Sequence, residues 1–301
     1  MSMNNNFRIG FFIVLMAIVV LFNRCQKDTV TAPPTVTNIQ FLGHKGSGAS
    51  LFNPSIIENT LPAVKKGLAT LTGVEVDLQM SLDGTIWLFH DLNLARTSCK
   101  TMAGKTIILS NDADISKINI CSTEAQDRIY TLSELISYWN QTATTSYLSM
   151  HIKLDFPLDT INKAVIGGEA IYLAKFADNL AKIIPSVKSP GKIMLEVYDA
   201  TFCKRIHQLI PGMKVCLLKA VSFPRQVTDA IDSGYDGVSG FFDEAALSEA
   251  EVTRAQKSGL IVQLWTPNTK IELTKALNMH PDFIQTDNMN ALTDLNVTVK
   301  R

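Results

Sequence analysis

The sequence predicts an α/β fold: a TIM-like (β/α)8 barrel with an extra antiparallel hairpin strand after strand 2. Three observations carry that reading. From residue 39 onward, short apolar runs alternate with amphipathic helical stretches, the pattern of βα units and a parallel sheet. Eight such runs over about 260 residues suit a closed barrel of this size. Ionisable residues then fall where the strands end, which is where such a barrel carries its chemistry. A doubly wound dinucleotide fold fits less well, because no Gly-x-Gly-x-x-Gly follows the first strand with a ribose-binding acid downstream.

At the N-terminus, Arg8 precedes an apolar run from Ile9 to Phe22. That is shorter than the roughly 20 residues a spanning helix needs, so residues 1–24 are expected to be a secretory signal. Cys25 directly follows, as in a bacterial lipoprotein signal, which it resembles; an ordinary cleaved signal and an uncleaved anchor are the alternatives. The expected location is outside the cytoplasm, either as a membrane-anchored lipoprotein or free in a periplasmic or extracellular space. Residues 25–38, with Pro33-Pro34 and several threonines, read as an extended tether. Residues 39–301 are expected to form the barrel.

The first strand, Ile39 to Leu42, opens into Gly43-His44-Lys45-Gly46-Ser47-Gly48. A helix follows Glu58-Asn59-Thr60, with Leu61, Val64, Leu68 and Leu71 at helical spacing and Gly73 as its stop. In the next stretch, Gly73 to Arg96, Asp83-Gly84 separates two apolar runs and reads as a two-residue type I′ hairpin turn. That register would pair Asp77 with His90. Alternation would then place Glu75, Asp77 and His90 on one face, a candidate metal-plus-base site. Residues 97–130 are polar and irregular, an expected insertion. Thr131 and Glu134 form a capping box for a helix to Trp139. Strands are then expected at 147–153, 193–197, 213–218, 237–240, 260–265 and 283–285. The helices between them are expected at 162–184, 200–210, 224–233, 248–257 and 271–279.

The barrel rim so defined holds His44, Glu75 and Asp77, with His90 beside them. It continues with His151, Lys153, Glu196, Lys219, Trp265-Thr266 and Thr286-Asp287. His207 and His280 fall on a helix and a turn and receive no role. The 28 basic and 28 acidic residues balance without a basic block, which argues against a nucleic-acid groove. With Cys25 set aside, four cysteines allow three pairings. A Cys99–Cys121 bridge within the insertion is plausible, and Cys203 and Cys216 read as buried thiols. No Cys-x-x-Cys occurs, so a thiolate zinc site is not expected.

In this order the motifs resemble the glycerophosphodiester phosphodiesterase family. They are His44-Lys45-Gly46, Glu58-Asn59-Thr60, Glu75-Val76-Asp77, Asp83-Gly84 and His90-Asp91, then His151-Ile152-Lys153, Trp265-Thr266-Pro267-Asn268 and Thr286-Asp287. The resemblance runs from about residue 40 to 292. It implies a barrel enzyme that cleaves glycerophosphodiesters to glycerol 3-phosphate and an alcohol, dependent on one divalent cation. By that resemblance His44 and His90 are the acid and base, in an order left open. Glu75 and Asp77 bind the cation, Lys45 and Lys153 contact the substrate phosphate, and Glu58, Asn59 and Trp265 support the site.

Two positions depart from the family. Lys45 stands where its members carry Arg, and His151 stands where they carry a third carboxylate ligand. Hard carboxylates suit Mg²⁺ or Ca²⁺, whereas an imidazole ligand admits Mn²⁺ or Zn²⁺. Glu196, on the neighbouring strand, is a candidate for the missing carboxylate; pairing with Lys153 or Lys219 is its other reading. A phosphoinositide-type phospholipase C and a non-catalytic surface binding protein are the alternative functions. The expected partners are a small diester and a membrane reached through the N-terminus, with no nucleic acid.

Overall fold

The computed structural model describes residues 35–97, 99, 105–143, 145–153, 168–218 and 221–300. The expected signal, the lipidation site at Cys25 and most of the tether lie outside the described residues, as do Lys219 and the start of the helix expected at 162. Among the described residues no helix is long and apolar enough to cross a membrane.

The strands in chain order are β1 (Thr35–Thr37), β2 (Gln40–Gly43), β3 (Gly73–Met80), β4 (Ile86–Leu88), β5 (Asn119–Cys121) and β6 (Gln126–Arg128). They continue with β7 (Tyr147–Ile152), β8 (Ile193–Val197), β9 (Lys214–Leu218), β10 (Gly237–Phe241), β11 (Ile261–Trp265), β12 (Phe283–Thr286) and β13 (Val297–Val299). Eight of them pair in parallel in the order β2-β12-β11-β10-β9-β8-β7-β3, and a β2–β3 pairing closes the barrel. Around it lie α1 (Leu61–Thr70), α2 (Leu132–Thr142), α3 (Glu169–Ile183), α4 (Ala200–Leu209), α5 (Phe223–Ser233), α6 (Glu249–Lys257), α7 (Lys270–Leu277) and the short α8 (Ala291–Leu295). Five of them start at a side-chain cap: Thr60, the Thr131–Glu134 box, Asp199, Ser248 and the Thr269–Glu272 box. The main core lies between strands and helices, where Val76, Leu148, Leu195, Phe176 and Phe202 are buried. The last residues of the expected tether are not free: β1 pairs in parallel with β13.

Period two along the strands sorts the barrel interior into layers. At the bottom, Leu42, Met194, Cys216 and Phe283 form an apolar plug. Above it lies a polar layer in which the Glu196 carboxylate accepts from Ser149 Oγ, Ser239 Oγ and Gln285 Nε2, each at 2.6 Å. The next step up reaches His151, two residues beyond Ser149, and Trp265, two beyond Gln263.

The hairpin register differs from expectation by one residue. Leu78 faces Leu88 and Met80 faces Ile86, so Asp77 lies opposite Phe89, whose N–H donates to the Asp77 carbonyl at 3.0 Å. The loop has three residues, Leu82 to Gly84, closed by the Ser81 N–H on the Thr85 carbonyl. A type I′ turn needs two successive positive φ angles, and only Gly84 has one, at 91°. Asp83 instead accepts from the Asp112 N–H, and the Leu82 N–H donates to Ser110. The insertion has thus taken the turn residues as its own partners.

That insertion is more ordered than its composition suggests. β5 and β6 form a hairpin, residues Asp112–Ile115 form one helical turn, and Cys99 is bonded to Cys121. Its Ile107, Ile115, Ile118, Ile120 and Ile129 join Ile57, Trp87, Phe89 and Leu94 in a hydrophobic cluster separate from the main core. Cys203 and Cys216 are buried free thiols.

Candidate active site

A cleft of about 290 Å³ opens at the C-terminal end of the barrel, lined by His44, Glu75, Asp77, His90, His151, Lys153, Glu196, Tyr198, Leu218, Trp265 and Gln285. Every lining residue lies on or just beyond the end of a strand. His90 is two residues past the last paired position of β4, where strand alternation no longer applies, and it still reaches the cleft.

Three imidazoles line this cleft, each beside an aspartate: His151 Nδ1 lies 3.0 Å from Asp77 Oδ1, and the other two are His44 and His90. His44 Nδ1 lies 2.8 Å from Asp287 Oδ1, and His90 Nδ1 lies 2.8 Å from Asp91 Oδ1. Burial alone would raise both aspartates. The hydrogen bonds from His44 to Asp287, and from His90 and Arg96 to Asp91, outweigh it and hold both carboxyls below the usual range. An ionised carboxylate at Nδ1 fixes the proton there and leaves Nε2 as the reactive nitrogen. His44 Nε2 lies 4.0 Å from Glu75 Oε2.

Glu75, Asp77 and His151 form a second constellation, with a ligand atom from each within 4.8 Å of the others. Glu75 and Asp77 are two residues apart on β3, and His151 is the register partner of Asp77 on β7. Asp77 is clamped from the other side by Asn59, whose amide donates to Oδ2 at 2.9 Å while its carbonyl oxygen accepts the Asp77 N–H at 2.8 Å. Asn59 does this with φ of 57°, a left-handed conformation that Asn tolerates better than most residues. Burial opposes ionisation of Asp77, but His90, the His151 hydrogen bond and Lys153 hold its carboxyl well below the usual range. Glu75 goes the other way, pushed well up by burial and by the charges of Asp77 and Glu196. Three buried carboxyl groups thus share one cleft, and Asp77 and Glu196 disfavour the ionisation of Glu75. Two hard oxygen donors and an imidazole fit a divalent cation.

Glu58, His90 and Asp91 also approach one another closely. Glu58 is already neutralised there, by Lys45 Nζ at 3.2 Å and by two bonds from Arg96 at 2.6 and 3.1 Å. Despite burial, those cations hold its carboxyl below the usual range. This group is an ion-pair network. Lys45 therefore does not line the cleft: its amino group faces Glu58, and its backbone N–H donates to Glu75 Oε2 at 2.8 Å. Lys153 does line it. Glu196 lines the floor but lies outside the Glu75–Asp77–His151 group, its oxygens taken by hydroxyls and an amide. Trp265 forms one wall, its ring 5.3 Å from that of Phe241. His207 is bound to Asp236 and His280 is exposed, both away from the cleft.

The sequence named Asp287 on the rim and Asp91 in a motif without giving either a role, and it passed over Arg96, Tyr198, Leu218 and Gln285. Gln285 had a signal, a polar residue at an inward position of an otherwise apolar strand.

The sequence model of the glycerophosphoryl diester phosphodiesterase family matches residues 44–291. The glycerophosphodiester phosphodiesterase of Bacillus subtilis (strain 168) is 24% identical over 223 residues, 68% of this chain and 70% of the relative. A glycerophosphodiester phosphodiesterase from Parabacteroides distasonis ATCC 8503 superposes with a TM-score of 0.66 at 15% identity, covering 88% of this chain and 98% of the other. A phosphodiesterase from Oleispira antarctica, in complex with the product sn-glycerol-3-phosphate, does so with 0.67 at 17% identity, covering 85% and 96%. The family match begins at His44, directly after the first barrel strand, and ends just past the Asp287 that holds it, so it takes in the whole rim: the chain belongs to the glycerophosphoryl diester phosphodiesterase family and is a phosphodiesterase.

Proposed function

We propose that the protein hydrolyses glycerophosphodiesters to glycerol 3-phosphate and an alcohol, with His44 and His90 as the proton-transferring pair. The observation that supports this most is the matched Asp–His arrangement. Each imidazole is fixed at Nδ1 by an ionised aspartate and leaves Nε2 to the same cleft. A phosphodiester is anionic, so its cleavage depends on positioning and charge neutralisation. One Nε2 accepts the proton of the attacking hydroxyl while the other donates to the leaving alkoxide, and imidazole titrates in the range where both steps are feasible.

Glu75, Asp77 and His151 would hold a divalent cation, which when bound supplies Lewis-acid polarisation of a phosphoryl oxygen. Mg²⁺ and Ca²⁺ match the two carboxylates, and His151 brings Mn²⁺ and Zn²⁺ within range. Asn59 keeps Asp77 in place for this task. The phosphate contact expected of Lys45 passes to Lys153, because the Lys45 amino group is occupied by Glu58. The glycerol 3-phosphate held by the Oleispira antarctica relative supports the same product here. The apolar run at residues 9–22 and Cys25 support export and tethering to a membrane.

The test is product release from glycerophosphocholine, glycerophosphoethanolamine and glycerophosphoinositol after chelation, with Mg²⁺, Ca²⁺, Mn²⁺ or Zn²⁺ restored one at a time. Glycerol 3-phosphate should appear only with metal, and His44→Ala and His90→Ala should abolish it with the fold intact by circular dichroism. Silence on all three diesters with every ion, or a His90→Ala rate within about tenfold of wild type, would overturn the reading.

A further inference from the structure

We propose that Arg96 is a positioning residue for His90, acting through Asp91, and that the disulfide-pinned turn of the insertion exists to deliver it. This rests on the two-histidine reading above. Arg96 Nε and Nη2 donate to Asp91 Oδ2 and Oδ1 at 2.6 and 2.9 Å, while Nη1 and Nη2 donate to Glu58 Oε2 and Oε1 at 3.1 and 2.6 Å. One guanidinium therefore forks onto two carboxylates at once, an arrangement that fixes the plane of each.

The two histidines differ in how they are held. His44 follows directly on β2, its N–H bonded to the Thr286 carbonyl, and Asp287 is also gripped by the Ala49 N–H and the Asn268 amide. His90 lies past the end of its strand with 34% of its side chain exposed. Gln79 holds the carbonyls of Phe89 and Asp91, which fixes the backbone and not the Asp91 carboxylate. The rotamer of that carboxylate is set by Arg96, and Arg96 is set by Glu58, a buried anchor 3% exposed.

Arg96 is itself half-exposed, so its position needs support from both sides. Two residues before it, Leu94 is fully buried in the cluster of the insertion and its N–H donates to Lys105. One residue after it, the Thr97 carbonyl accepts from Cys121 N–H, and Cys99 is covalently bonded to Cys121. The relay thus runs from the core of the insertion through Arg96 and Asp91 to His90. A residue that merely neutralised Glu58 would need only charge, since Lys45 already supplies part of it.

The test compares Arg96→Lys, Arg96→Ala, Asp91→Asn and the Arg96→Ala/Asp91→Asn double variant with His90→Ala, reading kcat, KM and Tm on glycerophosphocholine. Arg96→Lys keeps the charge and loses the fork, so it should keep the wild-type Tm and KM while kcat falls by about tenfold or more. Arg96→Ala should fall at least as far. The double variant should be no slower than Asp91→Asn alone, within about threefold, because both act through one carboxylate. A kcat within about threefold of wild type for both Arg96 variants, with His90→Ala inactive, overturns this proposal alone. Multiplicative losses in the double variant, or a wild-type rate for Asp91→Asn, do the same. An active His90→Ala overturns the underlying two-histidine reading as well, whatever the Arg96 variants show.

Discussion

Asp287→Asn is the substitution that separates orientation of His44 from its mere presence. The Asp287 side chain is 6% exposed and accepts three hydrogen bonds at 2.8 Å: His44 Nδ1 and the Ala49 N–H on Oδ1, and the Asn268 amide on Oδ2. An asparagine has one acceptor oxygen. If it keeps His44 and Ala49, its own NH₂ faces the Asn268 NH₂; turned over, it faces two donors instead. Asn268 cannot easily flip, because its carbonyl oxygen accepts the Asp287 N–H at 2.7 Å. One mispaired buried donor costs about 1–3 kcal/mol, which for a barrel of this size is roughly 2–10 °C in Tm. The catalytic loss should be larger, about 10²–10⁴ in kcat, because the charge that holds the proton at Nδ1 has gone. Steady-state kinetics and calorimetry on the same preparation read both. A folded Asp287→Asn with kcat within tenfold of wild type would refute the assignment of Nε2 as the working nitrogen.

Three further outcomes follow from the same geometry. A divalent cation at about a hundred times its Kd should stabilise the protein by about 2.7 kcal/mol, or roughly 5–10 °C in Tm; differential scanning fluorimetry should show this rise for wild type and its loss in Asp77→Ala. Glu58, Asp91 and Asp287 have folded-state values below their ordinary 4.5, 3.8 and 3.8. Their contribution is present above those ordinary values and is lost as pH falls through the depressed ones. Glu75, which is raised, acts in the opposite sense above its ordinary 4.5, so the acid limb is the test: Tm should fall below about pH 4, and a Tm unchanged at pH 3 would contradict the ion pairs described. Replacing Cys99 and Cys121 by Ser opens a link of 22-residue separation, which should lower stability by about 3 kcal/mol by calorimetry; an unchanged Tm would mean the cluster around Ile118 and Ile120 holds the insertion unaided.

The barrel was legible because its signals are local and repetitive: the strand runs, the capping box at Thr131, and ionisable residues at strand ends. The grouping of Glu75, Asp77 and His151 could be read for the same reason, since strand position alone fixes height in a barrel; His90 reaches the cleft although the register that placed it there was wrong by one residue. The hairpin register could not be read in this way. Which of Leu82, Asp83 and Gly84 enters the turn depends on Ser110 and Asp112, partners almost 30 residues away that bid for the same backbone. Lys45 escaped for a related reason: its neighbours in sequence suggest a phosphate, and only the folded chain shows Glu58 closer. The interior of the insertion was hidden because its isoleucines are spaced irregularly, so no period marks them as one cluster. Asp91 and Asp287 were in view and undervalued, as their work is done on a neighbouring imidazole.

The pairing of β1 with β13 puts Thr35 beside Val297, and the Lys300 N–H bonds to the Thr37 carbonyl. Thr37 leads straight into Gln40, where β2 begins, at the opposite end of the strand from His44. The described fold is therefore close to a ring with a seam, and the seam lies at the end of the barrel away from the cleft. Such a ring can be recut. A permutant joined between residues 300 and 35 by a few glycines and opened in the exposed α6–β11 turn should keep all eight strands in order. It would turn a question of chain order into one of geometry alone.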